Sequence, residues 1–185
     1  MGASISDADR AITDWVVAHR AQPWTCFAYA VTVLGNTVTL GIIAVIAAVV
    51  FARGRHVAEA MLMLAGPVSG YLVMIGVKQL FSRPRPPHED RLLQIESYSF
   101  PSGHAMMTMI VFGLLAVVIC RLTGGMWMRR WVPAGAVLVS VFVGVTRIYL
   151  GLHWFSDALA GWILGVLWVG VCAAVFSSRA SRDRA

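Results

Sequence analysis

From residue 27 onward the chain alternates long hydrocarbon runs with short polar breaks. Five runs approach or exceed the roughly 20 apolar residues needed to cross a bilayer as a helix, at about 27 to 52, 57 to 77, 104 to 122, 131 to 149 and 156 to 176. Ahead of them, Ile5, Ala8, Ile12, Trp15 and Val16 recur at helical spacing, with Asp7, Asp9, Arg10 and Asp14 on the other side. That pattern predicts an amphipathic helix over residues 5 to 19, lying in the membrane interface. The expected fold class is all-α: a polytopic membrane helix bundle of about five transmembrane helices plus the N-terminal interfacial helix.

Composition agrees with this pattern. Of the 185 residues 58% are hydrophobic and 13% charged, against roughly 25% charged in soluble domains. No Ser/Gly-rich linker divides the chain, so residues 1–185 are expected to form a single membrane domain. The net charge of +6 comes from cations scattered at the ends of apolar runs; they form no stripe of the kind that holds nucleic acid, and no nucleic-acid partner is expected. Cys26, Cys120 and Cys172 lie singly within apolar stretches and read as small buried hydrophobes. Asp7, Asp9 and Asp14 precede any apolar run, and no small-residue cleavage pattern follows, so the N-terminus does not read as a cleaved secretory signal.

Lys/Arg counts in the short loops set the orientation. Arg53, Arg55, Arg121, Arg129, Arg130, Arg179, Arg182 and Arg184 fall on one face, expected to be cytoplasmic. Arg10, Arg20, Lys78, Arg83, Arg85, Arg91 and Arg147 fall on the other. Five of these crowd around residues 78 to 103 and the exit of the fourth run, which suggests a task beyond topology. Within the spans, Asn36, Thr37 and Thr39 read as interhelical hydrogen-bonding groups, and Gly161 and Gly165 as a small-xxx-small packing step. Pro67 with Ser69 and Gly70 predicts a kink or a close helix contact, and Trp24, Trp127, Trp131 and Trp154 read as interfacial anchors.

Three short stretches carry candidate chemistry. Lys78, Arg83 and Arg85, stiffened by Pro84 and Pro86, resemble a preformed anion cradle. In Phe100-Pro101-Ser102-Gly103-His104, Pro101 and Ser102 end the loop and cap the third span. The amides of Gly103 and His104 then point from a helix N-terminus, where an anion is favoured, and His104 is placed to exchange a proton. In Thr146-Arg147-x5-His153-x3-Asp157, a helix beginning near Gly151 would put His153 and Asp157 on one face. The carboxylate would accept the imidazole Nδ1–H and leave Nε2 free as a nucleophile. Arg147 supplies a planar fork for phosphate oxygens. Topology puts all three stretches on one membrane face.

Lys78-x6-Arg85-Pro86, Pro101-Ser102-Gly103-His104 and Thr146-Arg147-x5-His153-x3-Asp157 together resemble the three signature motifs of the type 2 phosphatidic acid phosphatase (PAP2) superfamily of lipid phosphate phosphatases. The likeness spans residues 78–157 and departs once, with Thr146 where the family usually has Ser. The family commonly has six spans; here the first is shortened or replaced by the N-terminal amphipathic helix. The resemblance implies a metal-independent hydrolase of lipid phosphate or diphosphate, with no cofactor, acting by two-step phosphoryl transfer. In it His153 is the nucleophile, Asp157 its partner, and His104 the acid and then the base. Lys78, Arg85, Arg147, Ser102 and Gly103, with Arg83 as an auxiliary, bind the phosphate. The implied partners are the bilayer and an amphiphilic lipid phosphate, such as a polyprenyl diphosphate, phosphatidylglycerol phosphate or phosphatidic acid. The implied setting is a bacterial plasma membrane with the site on the outer side. Two other readings compete. A headgroup-binding or transport protein would keep the same basic pocket without hydrolysis, and two His with one Asp could hold a divalent metal, although so many cations would repel it.

Overall fold

The computed structural model of the chain describes residues 6–182. Ile5, Arg184 and the side chains of Arg179 and Arg182 lie outside the described residues. Helix α1 spans Asp7–Ala18 and starts from Ser6, whose hydroxyl accepts the Asp9 amide at 3.1 Å. It is amphipathic as expected, but with one correction. Asp9 and Thr13, four residues apart, face the protein and are buried, while Trp15 is 63% exposed. The polar side turns inward because, as shown below, it meets its hydrogen-bonding partners there.

The expected first span is broken. Helix α2 (Gln22–Thr32) passes through a 3-10 turn, Val33–Gly35, and the chain resumes as α3 (Thr37–Arg53), bent by 48°. Asn36 takes an extended backbone, and its side-chain carbonyl accepts the Val38 amide at 2.9 Å, so it caps α3 where an interhelical role was expected. Gly35 has a steric reason to be there. A Cβ at this position would stand 2.5 Å from Val143 and 2.7 Å from the His104 ring, so the break presses backbone directly against a candidate site residue.

Four further helices are each long and apolar enough to cross a membrane: α4 (Val57–Phe81), α5 (Gly103–Thr123), α6 (Met126–Tyr149) and α7 (Phe155–Arg182). Counted as one span, the bent pair brings the candidate crossings to the five expected. Helix α5 is the axis. Met106, Ile110, Leu114 and Val118 recur every fourth residue and are 1% exposed or less, and Met63, Leu40 and Trp168 of the neighbouring helices pack into the same core. Other apolar side chains, such as Val38, Ile42 and Val45 on α3, point outward, as a helix facing hydrocarbon requires. The cysteines follow this rule: Cys26 is exposed and Cys120 and Cys172 are half-buried, which corrects the expectation that all three are buried.

Small residues set the spacing where α5 crosses α7, as expected of Gly161 and Gly165. A Cβ on Gly161 would lie 2.8 Å from the Ser102 carbonyl oxygen and 3.0 Å from Ala105 Cβ, and one on Gly165 would lie 2.7 Å from Met109 Cβ. Gly66 and Gly70 flank Pro67 and play the same part on α4, with the Trp168 indole donating to the Gly66 carbonyl at 3.1 Å. Overpacking such a contact costs about 1–3 kcal/mol. Gly161→Leu is therefore expected to lower the thermal midpoint in detergent by several degrees, whereas Gly170→Leu, with nothing within 4 Å of its Cβ position, leaves it unchanged.

The segment between α4 and α5, residues 82–102, has one short 3-10 turn, His88–Asp90, and is pinned both within itself and from outside. The Ser99 amide donates to the Arg83 carbonyl at 2.9 Å, the Leu92 amide to the Leu150 carbonyl at 3.0 Å, and the Trp154 indole to the Pro84 carbonyl at 3.0 Å. Trp154 is 4% exposed and is a structural pin, which corrects its reading as an interfacial anchor. Trp24, Trp127 and Trp131 are all more than half exposed, as anchors are.

Candidate active site

The ends of α4, α5 and α6, the start of α3 and the 82–102 segment enclose a cavity of about 570 Å³. Lys78, Arg85, Arg147, His104, His153 and Gly103 all line it, with Tyr71, Ile75 and Thr37 on its apolar side. Three cations and two imidazoles expected from three separate stretches thus meet in one space.

Arg85 is the hub. Its Nε donates to the Ser97 carbonyl at 2.6 Å, Nη1 to the Leu152 carbonyl at 2.6 Å, and Nη2 to the Ser97 hydroxyl at 3.0 Å. Nη1 also lies 3.1 Å from His153 Nε2. A guanidinium can only donate, so Nε2 must be the acceptor and the imidazole proton resides on Nδ1. That is the tautomer a nucleophilic Nε2 requires. Burial, reinforced by Arg85, Arg147, Lys78 and His104, holds the His153 pKa well below its ordinary value, so the ring is neutral near pH 7. Burial and the nearby Arg91 push the Arg85 guanidinium down to about 10, still cationic at pH 7.

The other cations are held with donors to spare. Lys78 Nζ donates to the Tyr98 carbonyl at 2.6 Å. Arg147 Nη1 donates to the Thr32 hydroxyl of α2 at 2.9 Å, while its buried Nε has no hydrogen-bond partner among the described residues. The buried Ser102 hydroxyl is likewise unpartnered there. Buried unpaired donors are costly; Arg147 lines the cavity, where an oxyanion would supply the missing acceptor, and Ser102 adjoins Gly103 of its lining.

The expected direct bond from His153 to Asp157 takes a different form. Helix α7 begins at Phe155, later than expected, so His153 belongs to the preceding turn. Its Nδ1 lies 3.5 Å from Asp157 Oδ2 and 3.4 Å from the Ser99 hydroxyl, which itself donates to the same carboxylate oxygen. Asp157 Oδ2 also accepts the Trp154 amide at 3.0 Å and so fixes the turn that carries His153.

Two further placements differ from expectation. The Ser102 amide donates to the Asp157 carbonyl at 3.0 Å and is not offered to the cavity; the first-turn amides from Gly103 onward lack acceptors within the helix. Arg83 does not line the cavity. It lies beneath, with Nη1 donating to Asp157 at 2.6 Å and to the Ser156 hydroxyl at 2.7 Å, and Nη2 donating to Asp9 at 2.7 Å. Arg83 has a bulky fork that two buried carboxylates satisfy, so it is drawn away from the phosphate side. Burial alone would raise the Asp9 carboxyl, but hydrogen bonds from Ser156 and Arg83 hold its pKa below the usual value.

Ser99, Thr32 and Asp9 were not singled out from the sequence. Ser99 adjoins the Pro101–His104 stretch and could have been included with it. Thr32 and Asp9 lie 115 and 74 residues from Arg147 and Arg83, and no short spacing marks them.

A polytopic helical membrane protein with a cationic pocket bearing two histidines is the class that this fold and site define. The PAP2 superfamily model matches residues 59–181, and the chain belongs to that superfamily. Among its relatives is Phosphatidylglycerophosphatase B of Bacillus subtilis (strain 168), 32% identical over 167 residues, covering 89% of this chain and 81% of that protein. Another is Decaprenylphosphoryl-5-phosphoribose phosphatase of Mycobacterium tuberculosis, 31% identical over 147 residues, covering 78% and 73% respectively. A crystal structure of a transmembrane PAP2-type phosphatidylglycerolphosphate phosphatase from Bacillus subtilis superposes with a TM-score of 0.83 at 28% identity, covering 92% of this chain and 85% of that one.

Proposed function

We propose that the protein hydrolyses a lipid phosphate or diphosphate through a phosphohistidine on His153. The observation that carries the reading is the His153–Arg85 pair: two residues that line the cavity, with the lone pair of His153 Nε2 held at 3.1 Å by a cation that can move to a phosphate oxygen. Substrate phosphate would take over the Arg85 donor and release Nε2 to attack phosphorus. Lys78, Arg147 and the α5 amides from Gly103 onward then meet the charge growing on the equatorial oxygens, each fixed donor contributing about 3 kcal/mol. His104, on the same cavity wall, protonates the departing lipid oxygen. It then activates water against the phosphohistidine, which frees phosphate. Asp157 and Ser99 stabilise the positive charge that develops on the His153 ring.

The apolar side of the cavity, Tyr71 and Ile75, suits the first carbons of an acyl or prenyl chain. Phosphatidylglycerol phosphate is the first candidate, supported by the relative that matches this chain over most of both lengths. Polyprenyl diphosphates and phosphatidic acid follow. The cavity faces outward across a plasma membrane, because Arg53, Arg55, Arg121, Arg129 and Arg130 all fall at the opposite ends of the spans.

The test is phosphate release by the purified protein in detergent from phosphatidylglycerol phosphate, phosphatidic acid and undecaprenyl diphosphate, with excess chelator. The expected result is turnover of at least one, undiminished by chelation. Binding of all three without phosphate release would establish the headgroup-binding reading, and loss of turnover on chelation would overturn metal independence.

A further inference from the structure

A buried side chain of the N-terminal helix reaches the catalytic network. Asp9 is 2% exposed and 74 residues distant in sequence from Arg83. One carboxylate oxygen accepts the Ser156 amide at 2.9 Å; the other accepts the Ser156 hydroxyl at 2.6 Å and Arg83 Nη2 at 2.7 Å. The fork of Arg83 is thereby split: Nη2 serves Asp9, and Nη1 serves Asp157 at 2.6 Å. Asp157 in turn stands behind the His153 ring and bonds the turn that carries it.

Resting on the phosphatase reading above, we infer that Asp9 is a positioning residue for the reaction: it divides the Arg83 fork and caps α7 from another helix, which fixes the place and charge of Asp157. Two physical effects combine. The Ser156 amide belongs to the first turn of α7, where donors lack helical acceptors and a carboxylate is favoured, so Asp9 holds the helix start from which Asp157 projects. Asp9 also takes half of the guanidinium. Without its charge the bond from Nη2 to Asp9 is lost, and the guanidinium, still held at Nη1 by Ser156, shifts its charge toward Asp157. That would draw the carboxylate from the imidazole and neutralise more of the charge that stabilises a positive His153. Asp9 touches no substrate, so its removal should slow chemistry and leave binding intact.

The experiment is steady-state kinetics of wild type, Asp9→Asn, Arg83→Lys and the double variant on whichever lipid phosphate the wild type hydrolyses, with thermal midpoints in detergent to confirm folding. Asp9→Asn is expected to lower kcat on the order of tenfold to a hundredfold, as a small displacement of a reacting group does, with KM within about twofold. Arg83→Lys keeps a cation but has no fork to divide; it should lose a similar amount, and the double variant should be no worse than the poorer single one. Wild-type kcat in a folded Asp9→Asn protein, a loss carried mainly by KM, or losses that multiply would overturn the inference. If Asp9→Asn does not fold, Arg83→Lys decides: wild-type kcat there overturns it, and a kcat loss with KM unchanged supports it. Absence of turnover in the wild type would instead sink the phosphatase reading, and this inference with it.

Discussion

Replacement of His153 by alanine is expected to abolish phosphate release, by at least about 10⁴-fold in kcat, in a protein that still folds and binds lipid phosphate. The size follows from chemistry. Loss of a covalent nucleophile leaves only binding and charge stabilisation, and comparable losses in other enzymes are of that order. Folding should survive because the neighbours of the ring are anchored independently. Arg85 keeps its bonds to the Ser97 and Leu152 carbonyls, and Asp157 keeps Arg83, Ser99 and the Trp154 amide. Binding should survive because Lys78, Arg85 and Arg147 still line the cavity. Phosphate release and binding of a non-hydrolysable phosphonate, measured on the same preparation, check both halves. Activity within tenfold of wild type would show that His153 is not the nucleophile.

His104→Gln is expected to separate the two chemical steps. On a lipid substrate, loss of the proton donor should lower kcat by about 10²–10⁴-fold. An aryl phosphate with a good leaving group needs no such proton, so its first step should proceed. The second step still needs His104 to activate water. The variant should therefore release one equivalent of the phenol per active site in a burst and then turn over slowly. Rapid-mixing absorbance reads the burst directly. Equal losses on the lipid and the activated substrate with no burst would place His104 outside proton transfer. His104 also packs against Gly35; Gln is smaller than the ring and enters without a clash.

Much of this site was legible because its parts recur at short offsets and span parity brings them together. Lys78 ends α4 and Arg85 lies in the loop that leads to the start of α5, and Arg147 and His153 bracket one turn, so the topology alone predicts their meeting. The bundle was legible from its hydrocarbon runs. The break at Asn36 was not, because Gly35, Asn36 and Thr37 read as isolated small or polar residues in an apolar run. What makes them a hinge is a tertiary contact, the approach of Gly35 to Val143 and His104. Arg83 was misplaced for a similar reason. Three cations within eight residues suggest one shared task, yet Asp9 and Asp157 hold Arg83 below the cavity while its neighbours line it. Asp9 belongs to a helix whose charged face suggested solvent. A buried carboxylate on such a face becomes sensible only once its partner, distant in sequence, is seen.

The central claim is that phosphorus becomes bonded to His153 Nε2 during turnover. The direct measurement uses a ³²P-labelled aryl phosphate with the His104→Gln variant, quenched in alkali during the burst, followed by peptide mapping. The account predicts label on the peptide containing His153, stable in alkali and lost in acid as a phosphoramidate is, and absent when His153 is also replaced by alanine. Label on another residue, or rapid phenol release with no protein-bound phosphate at any time, would contradict it.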